Sequence, residues 1–347
     1  MLPHIAVSKH NDLIRSIYFH QRWAIHDQYY LDLLTAGIEI EGTSQDWNEF
    51  REKPAIFCSF HIGSYRLILP YLLKHGIKVT LLIDEHVAKA QSEKFRELLN
   101  EVCDANKLTT DCVTIRDTSR GNIILSLLRD LKNGRSLPIF VDGNTGVGGS
   151  SPRDDSVSPV RFLGSTLFSR KGIGYISWMS DCSVVPMVIY RHEADAWTNV
   201  LKLFPPITPL RTRGREPFCA DVIAGLYTVL EVSVREFYYQ WESWRYIERS
   251  LDIPELAKRV PAPLAIAHNE ESELRFNGNR YLLARHPEHH VLFDRASYRS
   301  TFISGGLCDF LESLTQSSKP AKILLKHPQM SASALNAMIQ LGVIEAR

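Results

Sequence analysis

Ala55-Ile56-Phe57-Cys58-Ser59-Phe60-His61-Ile62-Gly63-Ser64-Tyr65-Arg66 carries more information than any other stretch of the chain. Ile56 to Phe60 is short, apolar and aromatic-rich, as a buried strand is, and Gly63 permits a sharp turn directly after it. Ser64 is placed to cap a following helix, which Tyr65 to Lys74 fills with apolar residues and Gly76 closes. One imidazole, that of His61, is thereby exposed at the end of a strand. A histidine there can act as a general base, while the nearby helix N-terminus offers free amides to a developing oxyanion. The competing reading is a turn histidine that only satisfies its neighbours. Two other chemistries fit less well. Cys58 and His61 are an odd number of residues apart and point to opposite faces of a strand, and Ser64 lacks the flanking glycines of a nucleophile elbow.

The 347 residues hold 40 Lys and Arg against 39 Asp and Glu, and the net charge of +1 singles out no partner. With 44% hydrophobic and 23% charged residues the chain is an ordinary globular one, long enough for a large core and two domains. No stretch approaches the roughly 20 uncharged apolar residues that span a bilayer. The N-terminus, with Pro3, His4, Lys9, His10 and Asp12, lacks the apolar core of a signal peptide. The expectation is a cytoplasmic protein without a transmembrane segment. Six cysteines are scattered singly with no Cys-x2-Cys pair, so they read as small buried hydrophobes. His286-Pro287-Glu288-His289-His290 reads as a polar turn, and no metal is expected there.

From residue 55 onward, strands at 55–60, 78–84, 112–117 and 136–142 alternate with helices at 64–75, 87–102 and 120–133. That alternation predicts an α/β fold with a mostly parallel central sheet flanked by helices. Val79-Thr80-Leu81-Leu82-Ile83 and Leu137-Pro138-Ile139-Phe140-Val141 are continuous apolar runs, as in a sheet covered on both faces. Ligands of such sheets sit beyond the carboxyl ends of the strands, where His61, Asp84, Asp117 and Asp142 all fall. Residues 143–159 are rich in glycine and serine and read as a loop over the substrate. They lack the Gly-Lys-Ser/Thr ending of a nucleotide loop. A helix at 166–180, strands at 183–191 and 197–204, and a helix at 218–239 follow, leading into Gln240-Trp241-Glu242-Ser243-Trp244-Arg245.

In this order, the region from about 50 to 250 resembles the late acyltransferases of lipid A biosynthesis, within the lysophospholipid acyltransferase superfamily. The resemblance rests on His61-Ile62-Gly63-Ser64-Tyr65, Ile139-Phe140-Val141-Asp142-Gly143, Phe162-Leu163-Gly164, Val185-Pro186 followed by Arg191, and Gln240-Trp241 with Trp244-Arg245. It implies a glycerolipid acyltransferase-like fold and transfer of an acyl group to a hydroxyl or amine, with the motif histidine as base. The donor it implies is a thioester on a carrier protein or coenzyme A, a co-substrate rather than a tightly bound cofactor. The family keeps an acidic residue five positions after its histidine, and this chain has Arg66 there. A carboxylate from another strand end, Asp84 or Asp142, is one substitute. An unassisted His61 acting on a more acidic acceptor is another, and a catalytically inactive protein that binds a carrier or peptide is the third. Arg66 beside His61 is expected to lower its pKa. The expected site is therefore His61, Asp142 and Ser64 for catalysis, with Arg66, Arg161, Gly164, Arg191, Trp241 and Arg245 around the substrate. The chain also opens on a segment that is at most an amphipathic helix, where the lipid A enzymes carry an apolar anchor. A soluble acceptor, a peptide or an amine in natural-product assembly, is therefore favoured.

Boundaries follow from composition: an acyltransferase-like domain over 1–257, a linker over 258–273 marked by Pro261-Ala262-Pro263, and a small α+β domain over 274–347. The last resembles a winged helix of the PqqD-like type that binds leader peptides, which implies a carrier-protein or peptide partner. Residues 275–347 hold nine Lys and Arg and five Asp and Glu, and Ser331 to Leu341 carries no basic residue. A recognition helix without a cation is poorly equipped for phosphates or guanine edges, so nucleic acid is not expected.

Overall fold

The computed structural model describes residues 9–43, 46–83, 101, 103–104, 111–117, 122–143, 155–192, 195, 197–259, 270–328 and 330–346. These fall into two compact units, Met1–Leu251 and Asp252–Arg347.

The first unit is built on a five-stranded sheet of order β1-β9-β8-β2-β5, formed by Glu39–Gly42, Asn199–Leu203, Val184–Arg191, Ile56–Ser59 and Leu137–Phe140 respectively. Every pairing in it is parallel except that of β8 with β9. All of β2 and β8 is buried, which is why their sequences run apolar without alternating. Strands β3 (Val79–Ile83) and β4 (Val113–Asp117) pair in parallel, and Ser136, just before β5, bridges Val79. The helices Ile68–Lys74, Ile123–Lys132, Gly172–Ser180 and Arg215–Phe237 accompany this sheet. Leu67, Leu72, Leu73, Ile77, Val185, Met187 and Ile189 belong to one buried cluster that joins strands to helix. Arg215–Phe237 is, among the described helices, the one long and apolar enough by composition to cross a bilayer. Half of its most apolar window is buried inside the molecule, Val222, Leu226, Leu230 and Val234 among it, as for a core helix.

The structure corrects several sequence expectations. The helix expected at 166–180 begins as a strand: β6 (Val157–Phe162) and β7 (Ser165–Arg170) form an antiparallel hairpin, and the helix covers only Gly172–Ser180. Leu163 at φ 47° and Gly164 at φ 76° make the turn, a pair of left-handed residues suited to a tight hairpin. β1 was not anticipated, because Glu-Ile-Glu-Gly is exposed throughout and carries no apolar pattern. Cys103 and Cys112, read as small buried hydrophobes, are buried and bring their sulfur atoms together. The expected helix at 87–102 lies largely, and the loop at 143–159 mostly, outside the described residues, as does Asp84.

The second unit is α+β. Strands β10 (Glu273–Phe276), β14 (Lys319–Pro320) and β15 (Ile344–Ala346) form one antiparallel sheet; β11 (Tyr281–Arg285), β12 (His290–Asp294) and β13 (Arg299–Ile303) form another. Helices Gly305–Gln316 and Ala332–Gln340 are N-capped by Ser304 and Ser331, whose hydroxyls accept from the amides of Leu307 and Ala334. Leu274, Phe310, Leu311, Leu335 and Ile344 form the core of this unit.

Candidate active site

Register alone brings the key pair together. Ser59 of β2 lies beside Phe140 of β5 in a parallel pairing, so two residues further along each strand His61 meets Asp142. His61 Nδ1 is 2.9 Å from Asp142 Oδ1, and the His61 backbone N–H lies 3.1 Å from both carboxylate oxygens. A carboxylate only accepts, so Nδ1 carries the proton and Nε2 is left with its lone pair. No described residue hydrogen-bonds Nε2. The imidazole side chain is 23% exposed while that of Asp142 is 3% exposed.

The segment after residue 237 completes the carboxylate's surroundings. Trp241 Nε1–H donates to Asp142 Oδ2 at 2.7 Å and the Ser243 hydroxyl donates to the same oxygen at 2.9 Å. Ile62 bridges Trp241, the Glu242 amide donates to the His61 carbonyl at 2.9 Å, and the Gly63 amide donates to the Gln240 carbonyl at 3.2 Å. Gly63 is required here: a Cβ would lie 2.8 Å from Gln240 Oε1, the Ile189 carbonyl oxygen and Tyr190 Cα, and φ is +55°. Tyr65 stands edge-on to the imidazole at 4.7 Å, and its hydroxyl donates to Glu242 Oε2 at 3.1 Å. Phe140 covers the ring at 4.9 Å.

These contacts set the electrostatics. Burial pulls the His61 pKa down, but the charge and hydrogen bond of Asp142, with the charge of Glu242, outweigh it and hold the pKa above the ordinary imidazole value. Arg66 does oppose this, as expected from the sequence, but does not prevail. Burial pushes the Asp142 pKa up, and the charge of His61 with hydrogen bonds from His61, Trp241 and Ser243 brings it below the usual carboxylate value. The pair therefore favours an ionised carboxylate beside an imidazole that accepts a proton readily.

The other expected site residues are placed differently. Ser64 makes no side-chain cap; its buried hydroxyl donates to Asn199 Oδ1. Behind it come a single 3-10 turn, Tyr65–Leu67, and then the short helix Ile68–Lys74, where one continuous helix was expected. Trp241 is 2% exposed and serves Asp142 rather than facing a substrate. Arg191 is 1% exposed and grips Asp27 with both terminal nitrogens, at 2.6 and 3.2 Å, so it is not available to a donor phosphate. Arg161 is exposed on β6, with Nη1 3.4 Å from Thr166 Oγ1, and Gly164 lies in the hairpin turn. Arg245 is exposed, donates to Gln21 Oε1 at 2.6 Å and lies over the rings of Tyr18 and Tyr246. Arg66 Nε is buried with no hydrogen-bond partner among the described residues, and its guanidinium lies 5.4 Å from the centre of the Tyr65 ring. Cys58 is fully buried, and burial pushes its thiol pKa up, far from a nucleophile's. In the second unit His286, Glu288 and His289 bring their ligand atoms within 4.8 Å of one another on an exposed turn, where His286 Nδ1 already accepts from the Glu288 amide at 3.3 Å.

Sequence reasoning missed Glu242, Ser243 and Tyr65. Their only signal was proximity to His61 or to the aromatic run after 237, and neither says which side chain turns inward.

No protein-family model matches the sequence, and neither does any curated protein. Among solved structures, the 1-acyl-sn-glycerophosphate acyltransferase PlsC from Thermotoga maritima is similar over 66% of this chain and 96% of its own, with 15% identity and a TM-score of 0.36. A likeness at that level fixes neither family nor activity.

Proposed function

We propose that the first unit is an acyltransferase that moves an acyl group from a carrier-protein or coenzyme A thioester to an amine or hydroxyl. The observation that carries this reading is the His61–Asp142 pair: an oriented imidazole whose Nε2 no described residue bonds, at the carboxyl ends of two parallel strands. In the proposed step Nε2 takes the proton from the acceptor as its nitrogen or oxygen bonds to the acyl carbon. The carbon–sulfur bond breaks, and the leaving thiolate recovers that proton from the imidazolium. Asp142 remains ionised and stabilises the imidazolium. The reading retains a cytoplasmic location and a carrier-protein or peptide partner for a winged-helix-like second unit, with the acyl thioester as co-substrate.

The test is thiol release and product mass from a panel of acyl thioesters with amine and hydroxyl acceptors, comparing wild type with His61→Ala. Acceptor-dependent transfer that falls by about 10²- to 10⁴-fold in a folded His61→Ala supports the reading. Donor binding with no transfer by either protein would instead support an acyltransferase-like protein that only binds.

A further inference from the structure

The first unit holds a cavity of about 260 Å3, lined by Trp23, His26, Asp27, Tyr30 and Trp197. Trp23 and Trp197 meet nearly edge-to-face, with ring centroids 5.4 Å apart at 70°, and Tyr30 meets Trp197 at 6.2 Å and 86°. His26 stacks on Tyr30 at 5.7 Å, extending that wall. Trp197 is 53% exposed, and Asp195 accepts from its amide at 2.9 Å and from the Thr198 hydroxyl at 2.8 Å.

From this cavity we infer a binding site for an organic ammonium group. Rings set at right angles offer both faces and edges, and the faces carry the negative part of the aromatic quadrupole, which attracts a cation. The Asp27 carboxylate is also part of the lining, with both its oxygens held by Arg191, so the aromatic faces are what remain for a cation. Arg191 lies behind the carboxylate, fully buried, with the guanidinium carbon 5.7 Å from the Trp23 ring centre. That arrangement shows that the Trp23 ring already serves a cation on one side. The volume suits a small alkylated amine better than a nucleotide or a sugar chain. The inference does not depend on the activity assigned to His61, since none of these five residues touches that pair.

The test is calorimetric titration of the full chain with tetramethylammonium chloride, alongside tert-butanol as an uncharged probe of equal heavy-atom count and sodium chloride as a salt control. Tetramethylammonium is expected to bind saturably, and tert-butanol about tenfold more weakly or worse, since loss of one cation–π contact is of that order. Trp197→Ala, at a half-exposed position, should retain the wild-type circular dichroism spectrum and lose binding by about tenfold or more. Tyr30→Phe, which keeps the ring face, should bind like wild type. Absence of saturable binding, equal binding of tert-butanol, unchanged binding in Trp197→Ala, or loss in Tyr30→Phe would each overturn the inference.

Discussion

Two buried carboxylates, Asp142 and Asp27, each face a basic side chain, and they do different things. Asp27 meets a guanidinium that is 1% exposed and bonded at both terminal nitrogens. Burial pulls the Arg191 pKa down and the hydrogen bond and charge of Asp27 oppose it, but a guanidinium does not lose its proton near neutrality. That pair holds the segment after the first helix, His10–His26, against the end of β8. Asp142 meets an imidazole, a group that can give up its proton where a guanidinium cannot, and no described residue bonds its second nitrogen. Its other oxygen is satisfied by an indole and a hydroxyl, so the carboxylate stays ionised while the proton on His61 comes and goes. A buried ion pair thus becomes chemistry when its cation can release a proton and has a face free to do so.

The comparison breaks first on stability. Asp27→Ala leaves Arg191 buried and uncompensated, and is expected to cost about 3–5 kcal/mol in urea unfolding. Replacing both partners, Asp27→Leu with Arg191→Met, should recover most of that loss, because the desolvation of two charges disappears with them. A double variant as unstable as the single one would show that the pair does more than neutralise itself.

Asp142→Asn acts on the other pair. The expected loss in transfer rate is about 10²-fold, the lower end of what general-base assistance supplies. The pH limb sharpens the point. Asp142 is the main influence that raises the His61 pKa, whereas burial and Arg66 lower it. Without the carboxylate the imidazole becomes neutral at lower pH, so the rising limb of the pH–rate profile should move toward acid even as its plateau falls. An unmoved limb would mean that His61 is not the titrating base.

Trp241→Phe removes one donor from Asp142 and keeps the ring. A hydrogen bond to a charged group contributes about 1.5–3 kcal/mol, so a loss near the lower figure is expected with Ser243 still in place. The sign with pH follows from the lowered Asp142 pKa. Its contribution to stability is present above the unfolded carboxylate value and lost as pH falls through the folded one. Trp241→Phe weakens that lowering, so acid unfolding should begin at a higher pH than in wild type. An identical acid midpoint would detach the indole from Asp142.

The same contrast explains what could be read in advance. The strands β2, β3, β5 and β8 were legible because a sheet covered on both faces demands uninterrupted apolar runs. His61 was legible because a glycine-bearing turn followed such a run at once. Asp142 was named together with Asp84, and choosing between them needed the knowledge that β5 is the strand beside β2, which depends on three-dimensional order. Arg191 was assigned to the substrate because an arginine at a strand end looks the same whether it faces solvent or a carboxylate 164 residues away. β7 was read as the start of a helix because it runs directly into the helix after it, and the turn signal at Leu163-Gly164 lies in a residue, leucine, that rarely adopts positive φ.

His20 offers the smallest and most discriminating effect, because it feels Arg191 without touching Asp142. Burial, with the charge of Arg191 adding to it, pulls the His20 pKa from 6.5 to about 4. The unfolded chain therefore binds a proton that the folded chain refuses between those values, and stability should fall as pH drops from about 6.5 toward 4. At a ring that remains partly exposed, solvent screening reduces the effect to about 1 kcal/mol. His20→Phe, which suits a pocket formed by Phe19 and Tyr239, should flatten that slope in urea unfolding measured across the range. In Asp27→Ala the guanidinium is no longer neutralised, so the slope attributable to His20 should steepen. If it does not, Arg191 is screened from His20 and the Asp27 pair is electrostatically closed.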